Sequence, residues 1–200
     1  MLLIWALFFG CESLKKINLT NKFNTNKVIN MNSMFYKCEN LISLDLSNFD
    51  SSNVTDMSYM FFGCESLKNI NLTNKFNTNK VIKMESMFDG CKNLISLDLS
   101  NFDTSNVTDM NKMFSGCSSL KEINLTNKFN TSHVITMNSM FYNCKNLISL
   151  DLSNFVYPDS FDMSLMFYYC SSLKEINFNE LIFENVTDIS YMFYGCSSLT

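Results

Sequence analysis

CKNLISLDLSNFDTSNVTDMNKMFSG, from Cys91 to Gly116, follows CESLKNINLTNKFNTNKVIKMESMFDG, from Cys64 to Gly90, and the two share one apolar skeleton. In the later stretch the apolar columns are Cys91, Leu94, Leu97, Leu99, Phe102, Val107, Met110, Met113 and Phe114. The earlier stretch fills every one of those columns and adds one residue, Lys75, before its phenylalanine. The same words recur outward in both directions. FFGCESLK occurs at Phe8 and again at Phe61, and LISLDLSNF starts at Leu41, Leu94 and Leu147. The cysteines stand at positions 11, 38, 64, 91, 117, 144, 170 and 196, so their separations are 27, 26, 27, 26, 27, 26 and 26 residues. A beat this even is the mark of a tandem array, in which a short unit buries its apolar face only by stacking on its neighbours.

Within a unit the pattern predicts a coil. Cys91 followed by Leu94, Leu97 and Leu99 matches the LxxLxL core of a leucine-rich repeat. Leu97-Asp98-Leu99 alternates in and out as a short strand does, and Ser100-Asn101 supplies a turn. Met110, Met113 and Phe114, spaced three and four apart, suit a short helical turn with Thr108 and Asp109 as its cap. The expected fold class is therefore an α/β repeat, a leucine-rich-repeat-like solenoid of about seven 26–27-residue coils, each a short strand plus a short helical turn. Residues 1–200 are expected to form a single solenoid. Residues 1–10 read as an incomplete first unit, or as a weak signal segment lacking a charged start, and residues 196–200 as an incomplete last unit.

Bulk composition agrees with a packed array. The chain has 46 % apolar residues, 19 phenylalanines and 14 methionines but only 5 glycines and 1 proline, which excludes a disordered or collagen-like chain. A net charge of −4 without a basic block argues against nucleic acid as a partner. No apolar run is long enough for a transmembrane helix.

NFDTSNVTDMNKMFSGCSSLKEINL, with its words NVTDM, MFSGC and SSLKEINL, is similar to the repeat of the BspA-like leucine-rich-repeat surface proteins, including the lipoprotein-associated repeat of mycoplasmas. The likeness runs from about Phe8 to Leu199. It implies an exported solenoid that binds proteins or host surfaces, placed at the cell surface or secreted, and it implies no enzyme activity. The chain shows neither a clear export signal nor an anchoring domain, so a cytoplasmic location stays open at this stage.

Chemistry-bearing residues follow the repeat. The cysteines lack the close spacing of a zinc site and are expected inside as free thiols. Asp45, Asp98 and Asp151 alternate with Asn18, Asn71, Asn124 and Asn177 in one strand column. Carboxylates two coils apart, about 9.6 Å, cannot share a calcium ion, so no cofactor or metal is expected. The alternation instead keeps like charges from stacking, as does the pairing of Glu65 with Lys92 and of Lys83 with Asp109 on adjacent coils. His133, the lone histidine, has only Thr, Ser and Asn around it in the repeat and no partner for catalysis.

Two surfaces are candidates for a protein ligand. One is the strand face, with Lys68, Asn71, Asp98, Ser100, Glu122 and Asn124. The other is the place where the repeat breaks. There DTSNVTDM becomes VYPDSFDM after Phe155, and IFENVTDI follows Leu181, so that Val156 and Tyr157 stand in register with Ile182 and Phe183. Four apolar residues in polar columns read as a contact patch, or as side chains buried by a changed bend. The expected function is a non-enzymatic binding or adhesion module. The alternative is an intracellular or structural scaffold that self-associates end to end.

Overall fold

A computed structural model describes residues 7–19, 24–72, 76–126, 128–156, 161–178 and 186–200. The strands come first because their alternation is the plainest signal. β1 (Ser43–Asp45), β2 (Asn69–Asn71), β3 (Ser96–Asp98), β4 (Glu122–Asn124), β5 (Ser149–Leu152) and β7 (Glu175–Phe178) all carry the strand motif, one per unit. In β3 the expected alternation holds. Leu97 and, just beyond, Leu99 are buried, while Ser96 and Asp98 face solvent.

Neighbouring coils pair in parallel, exactly one unit out of step: Leu97 sits opposite Ile123 and Asp98 opposite Asn124. The pairing is grouped in twos. β1 bonds β2, β3 bonds β4 and β5 bonds β7, giving three separate two-stranded ladders. Each ladder joins an LISLDL strand to the following INL or INF strand; the units contributing β2 and β4 carry the additional residue before their phenylalanine, and the unit contributing β7 does not.

A second wall runs without interruption on another side of the coil. Parallel bridges link Asn30 to Asp56, Asp56 to Lys83, Lys83 to Asp109, Asp109 to Thr136, and Thr136 to Asp162. The wall continues through β6 (Phe161–Asp162) and β8 (Val186–Asp188), which pair across an irregular register. Lys83 and Asp109 are thus neighbours as expected, through their backbones, whereas Glu65 and Lys92 meet as an exposed ion pair at 2.7 Å.

The expected helical turn does not form, and the described residues contain no helix. After the second wall the chain makes two successive tight turns instead. Met113 N–H donates to Met110 O at 3.2 Å, and Cys117 N–H to Phe114 O at 3.2 Å. The third residue of each turn has positive φ, 55° at Lys112 and 68° at Gly116, the signature of a type II turn. The N–H groups of Met110, Lys112, Phe114 and Gly116 leave their own coil and donate to Thr136, Asn138, Met140 and Tyr142 of the next. An α-helix needs those N–H groups for its own bonds and right-handed φ throughout, so the two arrangements exclude each other. The apolar spacing of three and four is real, but it reflects paired turns.

The fold is a β-solenoid of about five turns, not the seven coils expected. Fully buried side chains run continuously from Val28 to Leu173. The equivalents outside that span, Cys11, Leu14, Cys196 and Leu199, are only partly buried against the core.

Inside, each column becomes a stack. Phe35, Phe61, Phe88, Phe114, Phe141 and Phe167 lie face to face with centroids 5.2–5.8 Å apart. All eight cysteines are free, and the six from Cys38 to Cys170 are buried, as their spacing implied. Each of the six buried thiols is satisfied: Cys91 Sγ donates to Phe61 O at 3.3 Å and Cys117 Sγ to Phe88 O at 3.2 Å, and the others do likewise. Burial pushes the Cys38 thiol up to about 11 and the Cys170 thiol up to about 12. A polar column is also internal. Ser51, Thr78, Thr104 and Thr131 are buried, and their hydroxyls donate to Asn77 O, Asp103 O, Asn130 O and Val156 O at 2.6–2.9 Å.

Candidate functional site

The strand face is built from pairs of rows. On β3–β4 the solvent-facing residues are Ser96 and Asp98, opposite Glu122 and Asn124. Asp98 anchors the arrangement. Its Oδ1 accepts the Ser100 backbone N–H at 2.9 Å, closing the turn after the strand, and the Asn124 side-chain amide at 3.1 Å. The same pair of bonds recurs at Asp45 with Ser47 and Asn71, and at Asp151 with Ser153 and Asn177. These contacts hold all three carboxyls below the usual carboxylate range, chiefly through the serine backbone N–H, with the serine hydroxyl and the asparagine amide adding to it. The Asp/Asn alternation therefore does more than dilute charge, because the amide of one coil is a ligand to the carboxylate of the coil before it.

Shallow grooves follow these pairs. They enclose about 580 Å³ over β1–β2, about 410 Å³ over β3–β4 and about 490 Å³ over β5–β7. Of the residues singled out from the sequence, Asp98, Glu122 and Asn124 come together on the β3–β4 groove, with Ser100 half-buried at its turn. Asn71 lies on the β1–β2 groove and Lys68 is exposed just ahead of β2. Val156 is 51 % exposed. Tyr157, Ile182 and Phe183 lie outside the described residues. His133 is exposed, and its Nδ1 donates to Ser105 O at 2.8 Å, a contact that fastens one coil to the previous one.

A second surface feature carries no motif and emerges only when the units are aligned column by column. Two residues before each cysteine stand Phe9, Tyr36, Phe62, Asp89, Ser115, Tyr142, Tyr168 and Tyr194. The aromatic members stack along the outside of the turns. Centroids are 4.6 Å apart for Phe9–Tyr36, 4.9 Å for Tyr36–Phe62, 5.0 Å for Tyr142–Tyr168 and 5.1 Å for Tyr168–Tyr194. At Asp89 and Ser115 two rungs are missing, and a recess of about 390 Å³ opens there against Tyr142.

The model of a family described as "Mycoplasma protein of unknown function, DUF285" matches residues 4–119 and again 93–200. No curated protein matches. Among solved structures, a leucine-rich repeat protein from Bacteroides ovatus is similar with a TM-score of 0.39 at 18 % identity, over 98 % of this chain and 68 % of that one. The TLR13–ssRNA13 complex is similar with a TM-score of 0.37 at 19 % identity, over 88 % of this chain and 28 % of that one. No helix among the described residues is long and apolar enough to cross a membrane.

Proposed function

We propose that this chain, which belongs to the family described as Mycoplasma protein of unknown function, DUF285, is a non-enzymatic protein-binding module whose strand face meets its ligand, and that residues 1–200 act as one solenoid. The observation that carries this reading is the repeated Asp–Asn pairing at 3.1 Å, which fixes the polar side chains in the same register within each of the three ladders. An extended surface of shallow grooves suits a protein better than a small molecule, which wants a concave pocket that buries most of it. Lys68, Asn71, Asp98, Ser100, Glu122 and Asn124 are the contact residues on this reading, and Val156, with Tyr157, Ile182 and Phe183, forms an accessory apolar patch. The surface or secreted location and the adhesive role come from the likeness to BspA-type repeats.

The test is direct. Beads carrying the chain are offered to purified extracellular-matrix proteins and to whole host cells, beside beads carrying the triple variant Lys68→Glu, Asp98→Lys, Glu122→Lys. Saturable retention that the variant loses supports the strand face. Retention that the variant keeps, or none at all, removes it. Protease treatment of intact producing cells then separates a surface protein, which is cleaved, from an internal scaffold, which is spared.

A further inference from the structure

Among the described residues, the missing rungs at Asp89 and Ser115 leave Tyr142 stacked on one side only. Tyr142 stacks on Tyr168 with an interplanar angle of 3°, and its opposite face borders the recess. The recess is lined by Asp89, Lys112, Ser115, Asn138 and Ser139 together with the apolar Leu165 and the ring of Tyr142. Its size lies toward the lower end of the range for ligand pockets, roughly 300–1,000 Å³.

Charge decides what belongs there. Asp89 is half-buried, and burial pushes its carboxyl above the ordinary range despite hydrogen bonds from Ser115 and Ser86 and the nearby charge of Lys112. Among the described residues no ammonium comes within 4.0 Å of it, and Lys112 remains exposed. Two more acids lie near Tyr59, on which Asp89 also acts. Glu85 accepts the Tyr59 hydroxyl, and its charge, after burial, adds to the upward push on Asp109. The Asp89 carboxyl is thus half-buried with no ammonium against it among the described residues, and a cation would stabilise its charged form.

Three kinds of side chain could enter beside the uncovered face of Tyr142. A phenol stacks but brings no charge. An ammonium brings charge but no flat face and a strong hold on its own water. A guanidinium is planar, stacks on an aromatic face, and presents paired N–H donors that match a carboxylate. We infer that the recess beside Tyr142 receives an arginine side chain of a protein partner, its guanidinium stacked on the free face of Tyr142 and bonded to Asp89. The site lies on the turn side of the coil rather than on the strand face, so it stands or falls separately from the role proposed for that face.

N-acetyl-arginine methylamide serves as the probe, titrated into the full chain while the ring resonances of Tyr142 are followed by NMR. The lysine and tyrosine analogues are run in parallel. Saturable shifts at Tyr142 with the arginine probe, at least about tenfold weaker in Asp89→Asn, are expected because a charge-assisted pair is lost. A second variant, Ser115→Tyr, places a ring on Tyr142 and should abolish the shifts while lengthening the aromatic stack, with circular dichroism confirming that the coil is intact. Linear shifts without saturation, equal affinity for the lysine probe, preferential saturation by the tyrosine probe, or undiminished binding in Asp89→Asn would each overturn the assignment.

Discussion

Removing a single ring from the inner stack, Phe88→Ala, tests the claim that stability here is passed from coil to neighbouring coil. Phe88 is fully buried and lies between Phe61 at 5.2 Å and Phe114 at 5.8 Å. Deleting a buried phenylalanine costs about 3–5 kcal/mol. Loss of two ring contacts, each worth roughly 0.5–1.5 kcal/mol, puts Phe88 at the upper end of that range, about 4–5 kcal/mol. Phe193 offers the internal control: it stacks on Phe167 at 5.6 Å but is 37 % exposed. With less area to lose, Phe193→Ala should cost about 1–2 kcal/mol. Urea unfolding followed by circular dichroism measures both. Because each coil touches only its neighbours, Phe88→Ala should also broaden the transition, and amide exchange should quicken first at Phe61 and Phe114. Equal costs for the two variants, or exchange that rises uniformly along the chain, would refute the nearest-neighbour picture.

Other outcomes follow from the same geometry. Gly116→Ala places a Cβ 3.4 Å from Gly90 Cα and N at a φ of +68°, and should cost about 1–2 kcal/mol in urea denaturation. Changing Asn71 and Asn124 together to Asp removes the amides that bind Asp45 and Asp98 and sets carboxylates opposite one another, for roughly 0.5–1 kcal/mol per pair at low salt. The deficit should shrink as salt is added, so a loss unaffected by ionic strength would rule out charge as its cause. Asp45, Asp98 and Asp151 titrate below their unfolded value, so their contribution is present above a pH of about 4 and is lost as acid passes through the folded pKa. The urea midpoint should fall on acidification, and less so in the triple Asp→Asn variant. Ellman's reagent should leave the six buried thiols unreacted in the native chain, attack Cys11 and Cys196 first, and reach all eight in urea.

The inner skeleton was legible because burial in a stack imposes one residue type on each column. Cys91, Leu94, Leu97, Leu99, Phe102 and Val107 repeat by unit and are all buried. The parallel strand register follows from that repeat, since shifting a coil by one residue would turn Leu97 outward and Asp98 inward. The pairing of Asp98 with Asn124 could be anticipated as alternation, though not as a hydrogen bond.

What escaped the sequence was whatever depends on bonds between coils. Lys112, Ser86, Tyr59 and Leu165 all adopt positive φ, between 52° and 58°, in the first of the two turns. None is a glycine, so local propensity offers no warning of a type II turn there. Their conformation is held by N–H bonds to the next coil, as from Lys112 to Asn138 O and from Leu165 to Ser190 O. Thr104 looked like a surface residue because threonine is polar, yet its hydroxyl is buried against Asn130 O. The recess at Asp89 opens where Asp89 and Ser115 replace the outer aromatics ahead of Tyr142. Composition and period by themselves determined that the chain coils and which side chains line its interior. Whether the closing segment was helix or paired turns, and where the outer aromatic stack was interrupted, only the stacked coils could decide, because those choices are set by hydrogen bonds and ring contacts between residues some 26 positions apart.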